Sequence, residues 1–107
     1  MAARLVRKAM TVDCWAPGKK PNVLIIAPPP IGRGMESSDV ADEMGKGAVE
    51  TSQELARYYA ATAELLGVHF LDAAFCEFNS VDFMHLTRRG HAQLAEKLAQ
   101  LVPEYVK

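Results

Sequence analysis

The sequence predicts an α/β layered fold built on one βαβ unit with flanking helices, in a single domain over residues 1–107. Three observations predict it. Residues 22–27 contain an uninterrupted aliphatic run stopped by three successive prolines, residues 48–66 carry apolar side chains at helical spacing ahead of a glycine, and residues 68–71 are a second short run of strand formers. Strand, crossover helix and strand in that order make a right-handed parallel unit.

Each element has its own local reason. Residues 2–12 mix charged and aliphatic side chains at helical spacing, which predicts a short helix. Pro17-Gly18, followed by two lysines, marks a turn within residues 13–21. The run at 22–27 lacks polar alternation, as a parallel strand buried on both faces does. It ends sharply because Pro28, Pro29 and Pro30 donate no backbone hydrogen bonds. Residues 31–47 read as a polar, glycine-containing loop. Along the helix at 48–66, Leu55, Tyr58 or Tyr59, Thr62 and Leu65 or Leu66 form one stripe, expected as core, and Gly67 is a natural C-cap. A loop over 72–86 follows the second strand. Thr87 is a good N-cap for a last helix whose apolar side presents Leu94, Leu98, Leu101 and Val102.

Composition narrows the function classes. Twelve basic residues against 13 acidic ones give a net charge of −1, with no basic run beyond Lys19-Lys20 and Arg88-Arg89, so nothing predicts a nucleic-acid partner. No apolar stretch approaches the length of a membrane span, and the basic opening, residues 1–8, lacks the apolar core of a secretion signal. Cys14 and Cys76 are not spaced as a metal or redox pair, so free thiols and a cytoplasmic location are expected. Two strands are few for so hydrophobic a sheet. The open side of residues 22–27 is expected to seek a neighbour, and an unpaired apolar edge invites self-association. An opening helix with no strand before it also suggests that Met1 is not the natural start.

Open α/β sheets carry their ligand sites beyond the carboxyl ends of the strands. Both the proline loop and the loop at 72–86 fall on that edge. The second contains Asp82-Phe83-Met84-His85, an acid and an imidazole one turn apart, with Cβ atoms roughly 5–6 Å from each other. A carboxylate so placed can accept the Nδ1 proton of His85 and leave Nε2 as a general base. That is two thirds of a nucleophilic triad. No serine completes it. Ser37 and Ser38 lie in a polar loop, Ser52 in a helix, and Ser80 two residues before the acid, none in a strand-to-helix elbow. Cys76 is the nearest substitute nucleophile, although a buried thiol reads more simply.

The remaining histidines have plainer readings. His91, one turn into the last helix, suits packing or capping, and His69 opens a strand as a core or edge residue. A zinc site from His69, His85, His91 and Cys76 lacks any supporting spacing. Arg4, Arg7, Lys8, Arg88 and Arg89 read as solvated helix faces.

The run Asp82-Phe83-Met84-His85-Leu86-Thr87-Arg88-Arg89-Gly90-His91 resembles the last motif of the SGNH (GDSL-type) hydrolases, Asp-Gly-x-His-Leu-Thr-x-x-Gly-His, with Phe83 where glycine is common. Val23-Leu24-Ile25-Ile26-Ala27-Pro28-Pro29-Pro30-Ile31 resembles the fourth strand and following loop of the arylesterase-like branch, and Val68-His69-Phe70-Leu71-Asp72-Ala73 its fifth strand. The match covers nearly the whole chain but only the C-terminal half of such an enzyme. The resemblance implies a partial flavodoxin-like three-layer fold and serine-dependent hydrolysis of small carboxylic esters, with no metal or organic cofactor. It assigns the triad acid to Asp82 and the base to His85. Pro29, Pro30, Ile31 and Phe83 become pocket-wall residues, although the proline loop also reads as a plain strand terminator. The serine and oxyanion donors belong to motifs absent here, so the implied partner is an N-terminal half. The alternative is a non-catalytic module that self-associates through its strand edge.

Overall fold

A computed structural model of the chain describes residues 1–106. In chain order it contains helix α1 (Ala2–Thr11), strand β1 (Leu24–Ala27), a 3₁₀ turn (Arg33–Ser37), the one-turn helix α2 (Ala41–Met44), helix α3 (Ala48–Leu66), strand β2 (His69–Asp72) and helix α4 (Arg88–Tyr105). β1 and β2 pair in parallel, with Leu24 opposite His69 and Ala27 opposite Asp72. The crossover is α3, as the order of the elements requires.

The helix ends follow from local chemistry. Trp15 Nε1 and Thr11 Oγ1 donate to the Ala9 and Lys8 carbonyls, each at 3.1 Å, satisfying orphan acceptors in the last turn of α1. Gly67 closes α3 in the left-handed region at φ 68°, and Val68 N–H bonds back to the Ala63 carbonyl at 3.0 Å. The core is small and lies between α3 and the sheet, with Val49, Ala63, Ala27 and Leu71 buried. Val6 of α1 and Met35 of the 3₁₀ turn extend it.

Several expectations need correction. On α3 the inward stripe is Leu55, Tyr59, Thr62 and Leu66, while Tyr58 and Leu65 face outward at 59% and 77% exposure. The spacing permitted either member of each pair, and the direction in which α3 crosses the sheet chose between them. The segment 31–47 is not structureless, because it holds the 3₁₀ turn and α2. β1 begins at Leu24 and not at residue 22. The Asn22 carboxamide is occupied elsewhere, donating to the Tyr105 carbonyl at 2.7 Å and meeting His69 Nε2 at 3.0 Å, while the Tyr105 ring stacks on His69. Val102 lies on the exposed side of α4, which continues through Pro103 to Tyr105.

Among the described residues β1 has no partner on its other side. A groove of 350 Å³ runs there, lined by Leu5, Val6, Val23, Ile25 and Tyr59 among others, and Leu5 is 63% exposed beside it. The radius of gyration is 15.9 Å, against about 13 Å for a compact domain of this length. The accessible surface is 7649 Å², roughly 1,800 Å² more than a compact monomer of 11.7 kDa presents.

Candidate functional site

The loop between β2 and α4 is held at both ends. Phe78 and Leu86 form an isolated antiparallel bridge, and Thr87 N–H donates to the Glu77 carbonyl at 3.1 Å. Thr87 Oγ1 accepts the Gly90 N–H at 3.0 Å, which caps α4, and donates to Glu77 Oε1 at 2.8 Å. Gly90 is buried here because the first turn of α4 rests on the loop backbone. A Cβ at this position would sit 2.0 Å from the Glu77 carbonyl oxygen.

Inside this frame Asp82 Oδ2 lies 2.6 Å from His85 Nδ1. The other carboxylate oxygen, Oδ1, accepts the backbone N–H groups of Met84 at 2.9 Å and His85 at 3.1 Å. The Met84 N–H, then the His85 ring, then the His85 N–H hold the Asp82 carboxyl far below the usual carboxylate range. An ionised carboxylate only accepts, so the imidazole proton sits on Nδ1 and Nε2 of the neutral ring keeps its lone pair. The His85 side chain is 80% exposed, while Asp82 is 21% exposed. The pair is therefore an oriented imidazole open to an incoming group.

Phe83, between the two, has φ 60°, in the left-handed region that a bulky side chain seldom enters. This is the conformation a glycine adopts without strain. The Phe83 carbonyl accepts the Gly32 N–H at 2.9 Å, and its ring packs so closely on the 3₁₀ turn that a Cβ at Gly34 would lie 2.4 Å from it. The proline loop and the loop at 72–86 thus meet, as the topology led us to expect. Ile31 N–H is tied in turn to α3, donating to the buried Ser52 Oγ at 2.8 Å. Of the proposed pocket-wall residues, Ile31 lines a 390 Å³ cleft with Met44, Thr51 and Leu55, which Pro29, Pro30 and Phe83 do not line. Pro29 is buried and Pro30 half-buried.

No hydroxyl or thiol is hydrogen-bonded to His85 among the described residues. Cys76 is 3% exposed, and burial raises its thiol pKa, so it is a poor nucleophile. Ser52 is buried and donates to the Val49 carbonyl at 2.6 Å. His91 is exposed, so of its two expected roles, packing and capping, it does not fill the first. One residue escaped the sequence reading. Asn79 Oδ1 accepts from Val81 and Asp82 N–H, and its Nδ2 donates to the His85 carbonyl. The available signal was an Asn-Ser pair, turn formers placed just before the acid.

No family model and no curated protein matches the chain. Solved structures do. The chain is similar to a carbohydrate acetylesterase family member from Sinorhizobium meliloti, with 28% identity and a TM-score of 0.79, covering 95% of this chain and 48% of that one. Est24, a carbohydrate acetylesterase from the same organism, shares 32% identity with a TM-score of 0.67, over 92% of this chain and 48% of its own. For the aryl esterase of M. smegmatis the identity is 29% and the TM-score 0.66, over 91% and 47%. The chain spans about half the length of the solved structures it matches. The likeness to esterase structures over about half of their length is consistent with the C-terminal half of an SGNH hydrolase. Among the described residues, no helix is long and apolar enough to cross a membrane.

Proposed function

We propose that this chain supplies the acid and the base of a serine carboxylic ester hydrolase, and that the nucleophile and oxyanion donors arrive with a second half docked on the open edge of β1. The single observation that carries the reading is the 2.6 Å contact between Asp82 Oδ2 and His85 Nδ1 on a ring 80% exposed to solvent. In this scheme His85 Nε2 takes the serine proton as the hydroxyl attacks the ester carbonyl. Asp82 stabilises the imidazolium, which then protonates the departing alcohol. Water, deprotonated by the same nitrogen, releases the acid from the acyl-enzyme. The likeness to a carbohydrate acetylesterase supports a small acyl group in this scheme. The complete protein would then be a flavodoxin-like three-layer sheet, with β1 in its interior.

The open edge and the roughly 1,800 Å² of surplus surface support the docking step, since an obligate interface buries about 1,000–2,500 Å² on each side. The same edge favours a second reading, a non-catalytic module that pairs with its own copy through β1. The test is to mix this chain with the half that carries a Gly-Asp-Ser motif and follow p-nitrophenyl acetate hydrolysis and sedimentation. Activity in the mixture, with 1:1 assembly and a loss of about 10⁴-fold or more in His85→Ala, is the expected result. Hydrolysis no faster than the His85→Ala control, with or without the added half, would end the esterase reading. A homodimer inert toward fluorophosphonate would favour the second.

A further inference from the structure

We propose that Asn79 is the positioning residue of the Asp82–His85 pair, its carboxamide bridging the backbone on both sides of the pair and so keeping the imidazole proton on Nδ1. Asn79 Oδ1 accepts the N–H of Val81 at 2.8 Å and of Asp82 at 2.9 Å. Its Nδ2 donates to the His85 carbonyl at 3.1 Å, and its own backbone N–H donates to that carbonyl at 2.9 Å. One planar group therefore spans from the N–H of residue 82 to the C=O of residue 85. The amide orientation is set by its neighbours, because a flipped carboxamide would aim NH₂ at two N–H donors and its oxygen at a carbonyl.

The consequence for Asp82 is geometric. With its main chain anchored, the Asp82 side chain has two turn N–H groups for Oδ1, and Oδ2 is left facing His85 Nδ1. If the main chain at Asp82 swung free, the N–H groups and the ring would no longer converge on one carboxylate. The ring is 80% exposed and, among the described residues, Asp82 is its only hydrogen-bond partner, so packing cannot hold its tautomer. The catalytic use of the clamp rests on the esterase reading, whereas the clamp itself does not.

The test is a long-range ¹H–¹⁵N NMR measurement of the His85 tautomer on the intact chain at about pH 8, where an unperturbed imidazole is neutral. The Nδ1–H form should dominate in the parent. Asn79→Ala should lower the ratio of Nδ1–H to Nε2–H forms by about fivefold, the effect of one lost hydrogen bond of ordinary net strength. Asn79→Gln, which keeps the amide but displaces it by a methylene, should lower it likewise and carries the test if the alanine variant does not fold. Asn79→Asp, which keeps the accepting oxygen but turns a second oxygen toward the His85 carbonyl, cuts the bridge on that side and should also lower the ratio, and Asp82→Asn should lose it. An unchanged ratio in folded Asn79→Ala or Asn79→Gln overturns the proposal. In the complemented enzyme, kcat should fall in step with the fraction of His85 held in the Nδ1–H form, at constant KM. A tautomer change in a mixture that hydrolyses no ester would count against the esterase reading alone, whereas an active mixture with an unmoved tautomer would count against the clamp alone.

Discussion

Replacing Gly90 with alanine should reverse the sign that helix propensity alone predicts. Gly90 lies in the first turn of α4, where alanine ordinarily gains about 1 kcal/mol over glycine. Its backbone is not left-handed, so the substitution introduces no φ strain. The obstacle is space. The new methyl would sit 2.0 Å from the Glu77 oxygen, 3.1 Å from the Glu77 carbonyl carbon and 3.2 Å from Leu86 Cβ. An ordinary contact requires the helix and the loop backbone to separate by more than an ångström. That separation breaks the Thr87 N–H to Glu77 carbonyl bond, now 3.1 Å long, at about 1 kcal/mol, and adds overpacking of about 1–3 kcal/mol. Against the propensity gain the net loss is about 1–3 kcal/mol. With a urea slope of about 2 kcal/mol/M, the unfolding midpoint should fall by about 1 M. A Gly90→Ala midpoint equal to or above the parent's would show that α4 does not bear on the Glu77 backbone, and the framing of the Asp82–His85 loop would fail with it.

Other perturbations probe the same loop. The Asp82 carboxyl titrates below its unfolded-state value, so the folded chain binds fewer protons there than the unfolded one. Its contribution to stability is complete above about pH 5 and drains away as the pH falls below that, and Asp82→Asn should flatten this acid limb in urea titrations between about pH 5 and 2. An equally steep limb in the variant would refute the assignment. Gly34→Ala would place a methyl 2.4 Å from the Phe83 ring, so the ring must swing away and the Gly32–Phe83 bond weaken. A loss of about 1–3 kcal/mol together with shifted His85 resonances is expected, and unmoved resonances would separate the two loops. Cys14 is exposed and Cys76 buried, so a disulfide reagent should modify Cys14 at once and Cys76 only in denaturant. Equal rates in the native protein would contradict the buried environment of Cys76.

The features legible in the sequence are those held by near neighbours along the chain. Gly67 ends α3 because a left-handed residue lets its own N–H and that of Val68 reach back to the Glu64 and Ala63 carbonyls. Thr87 starts α4 through a hydroxyl three residues from its donor, and Asp82 meets His85 across the same short span. The strand–helix–strand order required a parallel pair, and that pair formed. The residues 33–37 and 41–44 were not legible, because four or five residues are too few to show a period, and Gly34 with the flanking Gly32, Gly45 and Gly47 read as loop.

What only the tertiary structure decided lies farther apart in the chain. Tyr59 and not Tyr58 turns inward because α3 must lay one face on the sheet, and a stripe two residues wide cannot specify which edge leads. Phe83 adopts a left-handed backbone over Gly34, some fifty positions away, and Ser52 reaches back to Ile31. Hydrogen bonds and caps within one turn are written in local spacing. Close approaches between distant segments exist only once the chain has folded, and they are what bring the proline loop against the Asp82–His85 loop.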